Sequence, residues 1–209
     1  MKKCVIFCAS ELNGPVCPVG PEDLVIAADG ALRHTQALGL EPQVILGDFD
    51  SLGYVPGNAR VFPKEKDDTD SMLAIRLGLE KGYREFVLYG AMDGPRVDHT
   101  LANFQALQFL AREGARGWLV GRHQIATAFE NSLTLPGSFR GIFSLFSLGK
   151  DVNATVSGGK YSVKDTPLVS WFPLGVSNEF VGNDVVISCR GGILTLVYDR
   201  ENGILEEKA

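Results

Sequence analysis

The stretch Gln43-Val-Ile-Leu-Gly-Asp-Phe-Asp-Ser51 joins a short strand-like run directly to an acidic segment that begins with glycine. An apolar run without polar alternation is typical of a strand that is buried on both faces, as in a parallel sheet. In open sheets of parallel strands, ligands bind beyond the carboxyl ends of the strands. The stretch therefore predicts a parallel sheet with a functional site where this strand ends.

The segments on either side of this stretch alternate between strand-like and helix-like patterns. The predicted strands cover residues 5–9, 24–28, 43–46, 59–63, 85–89 and 117–120. The predicted helices cover residues 31–39, 70–81 and 97–113, and the last is expected to face inward with Leu101, Phe104, Leu107 and Leu110. Such alternation predicts an α/β fold, with a mainly parallel N-terminal sheet that carries helices on both faces.

The pattern changes at His123, after which no helix is predicted. Short apolar runs are separated by glycine, proline or asparagine; they cover residues 125–129, 142–148, 154–157, 185–189 and 193–198. The last two runs flank Arg190-Gly-Gly192, which favours a β-hairpin. The sequence thus predicts a C-terminal all-β sandwich, with a domain boundary between residues 1–122 and 123–209.

Composition excludes some classes of function. The chain of 209 residues carries 25 acidic and 20 basic side chains, a net charge of −5, whereas a nonspecific nucleic-acid binder is normally basic. Its four cysteines form neither a zinc pattern nor a disulfide framework, which favours a reduced, cytoplasmic protein. No apolar stretch approaches the ~20 residues of a membrane helix. Neither a nucleic acid nor a membrane is therefore an expected partner.

Two of the predicted strands end in aspartate. Asp48 and Asp50 are two residues apart, so in an extended chain both would point to one side, roughly 6–7 Å apart along the strand. That spacing suits magnesium, which accepts one or two carboxylates together with waters and phosphate oxygens. Asp29-Gly30 follows another strand. The alternatives are an acidic turn at 48–50 and a simple helix start at 29–30.

Two further polar clusters each precede a predicted helix. In the first, Lys66 is suited to face phosphates and Asp70 to complete a metal site, although Thr69 or Asp70 could simply cap the helix. The second runs from Gly90 to Asn103 and contains Arg96, Asp98 and His99. Backbone N–H groups at a helix start hold anions, and the guanidinium of Arg96 is a fork for phosphate. The alternatives are that Asp98 is only a cap and His99 only a partly buried polar residue.

These strand ends are expected at one edge of the sheet, so together they predict a nucleotide–magnesium site. Neither a Gly-x-x-x-x-Gly-Lys-Ser/Thr loop nor a Gly-x-Gly-x-x-Gly motif is present, which excludes an ordinary P-loop enzyme. In the β-rich half, the polar turn that contains Ser177, Asn178 and Phe180 offers hydrogen-bonding groups and an aromatic face. The alternative for this turn is an ordinary hairpin loop.

In its motifs and in their order along the whole chain, the sequence resembles the thiamine pyrophosphokinases. The motifs that carry the resemblance are Ala28-Asp-Gly30, Gly47-Asp-Phe-Asp-Ser51, Lys66-Asp-Asp-Thr-Asp70, Arg96-Val-Asp-His99 with Asn103, and Ser177-Asn178. The resemblance implies an α/β domain followed by a β-sandwich domain and a homodimer. It also implies that the enzyme transfers a pyrophosphoryl group from ATP to thiamine, which yields thiamine diphosphate and AMP.

The resemblance further implies a role for each site residue. Asp48, Asp50 and Asp70 would organise Mg²⁺ and phosphates, and with Asp98 they form the expected catalytic set. The residues expected to hold ATP are Asp29, Gly30, Lys66, Arg96, Asp98, His99 and Asn103. Those expected to meet thiamine are Thr69, Asp70, Ser177, Asn178 and Phe180, the last three across the dimer interface. Phe180, Trp171 and Tyr161 are all candidates for the ring that stacks on thiamine.

Two positions depart from the family pattern, since Ala31 and Pro95 stand where it often has glycine. Proline has no N–H, so a backbone contact to phosphate is not expected from residue 95. Two alternative functions remain. A magnesium-dependent nucleotide-sugar transferase would use the Asp-x-Asp pair but would lack the Arg96–His99 cluster and the trailing β domain. A non-catalytic nucleotide-sensing module would need no paired metal carboxylates.

Overall fold

The computed structural model describes residues 2–49, 55, 57, 59–62 and 67–205. The chain divides into two compact units. The first runs through Ala106 and includes Leu119–Arg122, and the second comprises Leu107–Trp118 and the chain from His123 onward. The predicted division of function between residues 1–122 and 123–209 stays a prediction.

The N-terminal part alternates strands and helices, as the sequence predicts. The strands are β1 (Cys4–Phe7), β2 (Leu24–Ala28), β3 (Val44–Gly47), β4 (Arg60–Val61), β5 (Glu85–Tyr89) and β6 (Arg116–Val120). The helices are α1 (Leu32–Ala37), which follows a 3₁₀ turn at Asp29–Ala31, α2 (Asp70–Glu80) and α3 (Val97–Arg112). None of the helices among the described residues is long and apolar enough to cross a membrane.

The sheet of the first unit has the strand order β5-β1-β2-β3-β4, and its neighbouring strands are parallel. Strand β1 has a neighbour on each side, and its Cys4 lies opposite Leu24 of β2 and Phe86 of β5. The four residues of β1 are fully buried, which explains the continuous apolar run. The predicted parallel sheet is confirmed.

Helices cover both faces of this sheet. A Cβ at Gly78 of α2 would lie 2.9 Å from the Cys4 Sγ and 2.5 Å from the Phe86 Cε1, so α2 packs closely on the face to which Cys4 points. Leu32, at the start of α1, packs with Ala27 and Ile45. Because side chains alternate along a strand, Ala27 points away from the Cys4 face. The predicted placement of helices on both faces is confirmed.

The prediction that Leu101 faces the core is wrong. Leu101 is 62% exposed, and the buried residues of α3 are Asn103, Ala106, Leu107 and Leu110. The expected stripe advanced in steps of three residues, and each step falls about 60° short of a helical turn. Three steps therefore carry the stripe to the opposite face of the helix.

The second unit is a sandwich of antiparallel strands. Its strands are β7 (Gln124–Phe129), β8 (Ser132–Leu135), β9 (Ile142–Phe146), β10 (Val152–Ser157), β11 (Val163–Leu168), β12 (Asn178–Glu179), β13 (Val185–Arg190) and β14 (Leu194–Asp199). Within this unit the strand orders are β12-β9-β14-β7 and β11-β10-β13-β8. From His123 onward, the only helical turn among the described residues is a 3₁₀ turn at Arg200–Asn202. The predicted C-terminal all-β sandwich is confirmed.

The predicted hairpin around Arg190-Gly-Gly192 is wrong. β13 pairs with β10 and β8, whereas β14 pairs with β7 and β9 in the other sheet. Gly191 has a φ of +93°, a value that favours glycine, and the turn carries the chain from one sheet to the other. A glycine-rich turn between two strands suits a crossing between sheets as well as a hairpin.

Candidate active site

A cavity of about 390 Å³, here called the strand-end cavity, lies at the carboxyl ends of strands of the parallel sheet. The segments that follow β1, β2 and β5 line it, together with the amino-terminal ends of α2 and α3. The polar lining residues are Ser10, Asp29, Thr69, Asp70, Ser71, Arg96, His99, Thr100 and Asn103. Three of the four predicted acidic or glycine-bearing segments thus come together here.

Helix α1 holds the segment after β1 in place. The Arg33 guanidinium donates to the carbonyl oxygen of Ala9 at 2.7 Å, and the His34 Nε2 lies 2.7 Å from the carbonyl oxygen of Ser10. Burial lowers the pKa of His34, which favours a neutral ring whose Nε2–H donates to that carbonyl. One wall of the cavity is therefore fixed by the helix beside it.

The segment after β5 needs glycine because it folds closely over the segment after β1. Gly90 has a φ of +63°, and a Cβ there would clash with the carbonyl oxygen of Cys8. A Cβ at Gly94 would clash with the hydroxyl of Ser10. These contacts explain why the predicted cluster begins with Gly90 and contains a second glycine.

Replacement of Gly90 by alanine is expected to destabilise the fold by about 3 kcal/mol or more, since an alanine there is strained both by its φ and by the clash. Gly82→Ala is the matched control: Gly82 has a φ of +81°, and a Cβ there would meet nothing within 4 Å. That control is expected to cost about 1 kcal/mol. Urea unfolding of both variants measures the difference, and equal losses would contradict the role of the close approach at Gly90.

Asp29 and Asp70 bring carboxylates to the strand-end cavity from two different elements. A Cβ at Gly47 would lie 2.9 Å from the Cα of Asp29, so glycine at the end of β3 lets the ends of β2 and β3 meet. Asp70 is the first residue of α2, and Thr69 caps that helix by accepting from the Met72 N–H at 3.3 Å. Burial, and next the charge of Asp70, raises the pKa of the Cys8 thiol to about 12, so the thiol is protonated at neutral pH.

The expectation for the Asp48–Asp50 pair changes in the structure. Phe49 has a φ of +60°, so the chain is not extended there, and its ring is buried against Ala27, Leu32 and Ile45. The premise that the chain is extended through residues 48–50 is therefore wrong at Phe49. Asp48 follows β3 without lining the strand-end cavity, and Gly30 does not line it either. Asp50 and Lys66, which are also predicted site residues, lie outside the described residues.

Arg96 and Asp98 form an ion pair at the rim. The guanidinium donates to both carboxylate oxygens, with the Arg96 Nη2 to Asp98 Oδ2 distance at 2.6 Å. This hydrogen bonding lowers the pKa of the Asp98 carboxyl to about 2. Both side chains are more than 60% exposed, and Arg96 but not Asp98 lines the cavity. Asp98 therefore orients the guanidinium, and the predicted cluster reaches the cavity through Arg96, His99 and Asn103.

Asn103 is buried, at 6% exposure, and both ends of its amide are in use. Its Nδ2 donates to the carbonyl oxygen of Ala91 at 2.8 Å, and its Oδ1 accepts from the Ser71 hydroxyl at 2.9 Å. Asn103 therefore joins α3 to the start of α2 and to the segment after β5. Sequence reasoning missed Ser71, whose only signal was its position directly after Asp70.

The lining suits an anionic ligand that arrives with a divalent cation. The amino-terminal ends of α2 and α3 contribute to it, and helix amino termini favour anions. Among the described residues, no three side chains of His, Cys, Asp or Glu converge as a metal cage. The two carboxylates nevertheless fit Mg²⁺, which usually keeps waters and binds through one or two carboxylates and the phosphates of a substrate.

The polar turn of the second unit is largely engaged in its own hydrogen bonds. The Asn178 Oδ1 accepts from the N–H groups of Tyr161 and Glu179, and its Nδ2 donates to the carbonyl oxygen of Tyr161. Ser177, at a φ of +63°, donates through its N–H to the Ser144 hydroxyl. Asn178 therefore holds the backbone at Tyr161, and Asn178–Glu179 forms the short strand β12 rather than a loop.

The structure separates the three candidate rings. Phe180 is only 8% exposed and packs against Phe139 and Phe143, so its faces are used inside the unit. Tyr161 is 56% exposed and Trp171 is 79% exposed. A second cavity of about 120 Å³, lined mostly by apolar side chains, lies beside Tyr161 and Asn178. The expectation that Phe180 offers an open face is wrong.

Comparison with known proteins follows the same two-part division. Residues 20–118 match the family described as thiamin pyrophosphokinase, catalytic domain. Residues 122–194 match thiamin pyrophosphokinase, vitamin B1 binding domain. A search of the curated proteins found no match.

Several solved structures share the fold. Thiamine pyrophosphokinase from Bacillus subtilis aligns with a TM-score of 0.83 at 23% identity, covering 94% of this chain and 98% of that one. The enzyme from Geobacillus thermodenitrificans aligns at 0.79 with 23% identity, over 95% and 97% of the two chains. Yeast thiamin pyrophosphokinase aligns at 0.74 with 15% identity, over 95% and 86%. With both of its parts matched in the expected order, the chain belongs to the thiamin pyrophosphokinase family.

Proposed function

We propose that the strand-end cavity is where this chain transfers a pyrophosphoryl group from ATP to thiamine, giving thiamine diphosphate and AMP. The reaction is that of the family to which the chain belongs. The lining of the cavity supports placing the reaction there. Two helix amino termini, the Arg96 guanidinium and two carboxylates line this one space. That combination suits a triphosphate with its cation, because phosphoryl transfer depends on positioning and charge compensation.

Each part of the lining has a proposed role. The amino ends of α2 and α3 and the Arg96 guanidinium hold phosphate oxygens, with Asp98 keeping the guanidinium oriented. His99 and Asn103 complete the nucleotide side of the cavity. Pro95 also lines the cavity, and as it has no N–H, its contribution is limited to shape.

Asp29 and Asp70 are the carboxylates that line the cavity, and they would hold Mg²⁺. Mg²⁺ would neutralise the phosphates and stabilise the negative charge that develops on AMP as it leaves. Asp48 and Asp50 remain proposed contributors to this region of the strand edge. The donors are all hard oxygens, which matches the preference of Mg²⁺ and disfavours a thiolate-binding metal.

The proposed reaction is a single displacement. The hydroxyl oxygen of thiamine forms a bond to the β-phosphorus of ATP, and the bond from that phosphorus to the oxygen shared with the α-phosphate breaks. AMP departs with the electron pair of that bond. The Asp70 carboxylate accepts the hydroxyl proton. A general base must lie within hydrogen-bond reach of the proton that it removes. Asp70 meets this condition because it lines the cavity and is held at the start of α2.

Thiamine recognition is proposed to involve the second unit, in a homodimer whose thiamine sites lie between subunits. Trp171, Phe172, Leu174 and Val176 are each about half exposed or more. A run of exposed apolar side chains is typical of a contact or ligand surface rather than of open solvent. Trp171 is the proposed stacking ring, since it is the most exposed of the three candidates. Ser177 and the Asn178–Tyr161 turn lie close by in sequence and supply polar groups.

Mixing two inactive chains tests whether sites are shared between subunits. Asp70→Asn damages the first unit and Trp171→Ala the second, so a heterodimer would keep one intact site if each site uses both subunits. Random exchange then restores up to about a quarter of wild-type activity, because half of the dimers are heterodimers with one working site of two. Each variant mixed with itself is the control. No recovery after subunit exchange has been verified would contradict shared sites.

Product identification tests the proposed function itself. The chain, incubated with thiamine, ATP and Mg²⁺, is expected to yield thiamine diphosphate and AMP in equal amounts by chromatography. Thiamine monophosphate with ADP would indicate an ordinary kinase, and phosphate release with unchanged thiamine would indicate an NTPase. Binding without turnover would favour a nucleotide-sensing module, and transfer from a nucleotide sugar would favour the other alternative. A cytoplasmic location is proposed, as ATP is available there and the four cysteines are all buried in the fold.

A further inference from the structure

Three residues that line the strand-end cavity, Thr69, Ser71 and Asn103, form a chain of side-chain hydrogen bonds that runs in one direction. Ser71 has one hydroxyl proton, which it donates to the Asn103 Oδ1 at 2.9 Å, since a carbonyl oxygen cannot donate. The Thr69 and Ser71 hydroxyl oxygens are 3.0 Å apart. Thr69 must therefore donate to Ser71, while the oxygen of Thr69 accepts from the Met72 N–H.

The full path runs one way from α2 to the segment after β5. It passes from the Met72 N–H to Thr69, Ser71 and the Asn103 Oδ1, and the Asn103 Nδ2 then donates to the carbonyl oxygen of Ala91. Chains aligned in one direction polarise and strengthen each bond. The hydroxyl protons of Thr69 and Ser71 are both committed, so Thr69 meets a substrate as an acceptor only.

The path connects the elements that carry the charged groups of the cavity. Asp70 lies between Thr69 and Ser71 at the start of α2, and Arg96 follows the segment that contains Ala91. Asn103 is buried, so loss of its donor would leave a buried amide oxygen unsatisfied and would favour a local shift of α2 relative to α3.

We propose that Ser71 is a positioning residue for pyrophosphoryl transfer: its hydroxyl fixes the start of α2, with Asp70, relative to the nucleotide-binding side of the cavity. The inference rests on the proposed function and adds to it a residue that contacts neither phosphate nor thiamine through its proton. Misplacement of a reacting group by a fraction of an ångström slows the reaction more than it weakens ground-state binding.

The test compares Ser71→Ala with Ser71→Thr, which keeps the hydroxyl. Ser71→Ala is expected to lower kcat about tenfold while the KM values for ATP and thiamine stay within about twofold, and Ser71→Thr is expected to restore most of kcat. Gln105→Ala, on the exposed face of α3, is the control and should leave kcat unchanged. An unchanged kcat in Ser71→Ala, an equal loss in Ser71→Thr, or a change confined to KM would overturn the proposal.

A double-mutant cycle with Asn103→Ala separates positioning from a general loss of stability. In the Asn103→Ala background the hydroxyl has no acceptor, so Ser71→Ala is expected to lower kcat by less than about twofold further. The same tenfold loss in both backgrounds would overturn the proposal while leaving the function intact. A wild-type chain that makes no thiamine diphosphate would instead overturn the proposed function, and the role of Ser71 with it.

Discussion

Asp70→Asn is expected to lower kcat at least about a hundredfold, with little change in the temperature of unfolding. The substitution removes a charge from the strand-end cavity and the proposed proton acceptor, and either loss alone costs about two orders of magnitude in enzymes. Thr69 still caps α2, because its hydroxyl and not the Asp70 carboxylate accepts from the Met72 N–H.

Glu80→Gln is the matched control for this substitution. Glu80 is the exposed last residue of α2, so the variant removes the same charge from the same helix at its other end. It is expected to retain wild-type kcat and to unfold at the same temperature or slightly higher, since a helix carboxyl end disfavours negative charge. Near-normal turnover by folded Asp70→Asn would exclude Asp70 from the reaction.

Removal of divalent metal is expected to reduce product formation to background, a loss of at least about a hundredfold. The triphosphate enters a cavity that already holds the carboxylates of Asp29 and Asp70, and Arg96 is the one permanently positive side chain among the described lining residues. One guanidinium and two helix termini do not balance that negative charge, so a bound cation is needed.

Steady-state assays in the presence of a chelator, followed by addition of excess MgCl₂, measure this effect. Activity should return with Mg²⁺ and should not return with an equal ionic strength of NaCl. Undiminished formation of thiamine diphosphate in the chelator would contradict a role for Asp29 and Asp70 in holding a metal.

The fold follows closely from the sequence where the signal is local. The apolar runs at 24–28 and 85–89 match β2 and β5 residue for residue, and the cap at Thr69 marks the start of α2. The wrong predictions concern features that tertiary packing decides: which face of a helix is buried, and which strands pair with each other. Leu101 fits a helical stripe, but the buried face of α3 begins with Asn103 and leaves Leu101 exposed. Arg190-Gly-Gly192 fits a hairpin, but the sheets take the two strands apart.

The sequence predicts the location of the candidate site at the strand ends. It predicts less well which individual side chains are available to a ligand. Asp29, Asp70, Arg96, His99 and Asn103 do share one cavity, because parallel strands bring their carboxyl ends to one edge. Whether an amide binds a ligand or the protein itself depends on tertiary hydrogen bonds that no spacing encodes. The amide of Asn178 forms hydrogen bonds with the backbone of Tyr161 rather than with a ligand. The ring of Phe180 packs in a buried aromatic cluster and is not available for stacking.

The position of β14 has a consequence for synthesis of the chain. This strand, near the end of the described residues, lies between β7 and β9, and Asp199 pairs with Gln124 far upstream. Until translation has passed residue 199, both neighbours expose unpaired edges, which are prone to aggregation. Pairings this distant in sequence also form slowly. A ribosome that stalls or terminates before Leu194 would therefore release a chain whose C-terminal sandwich cannot close, and such a product would be a substrate for chaperones and proteases.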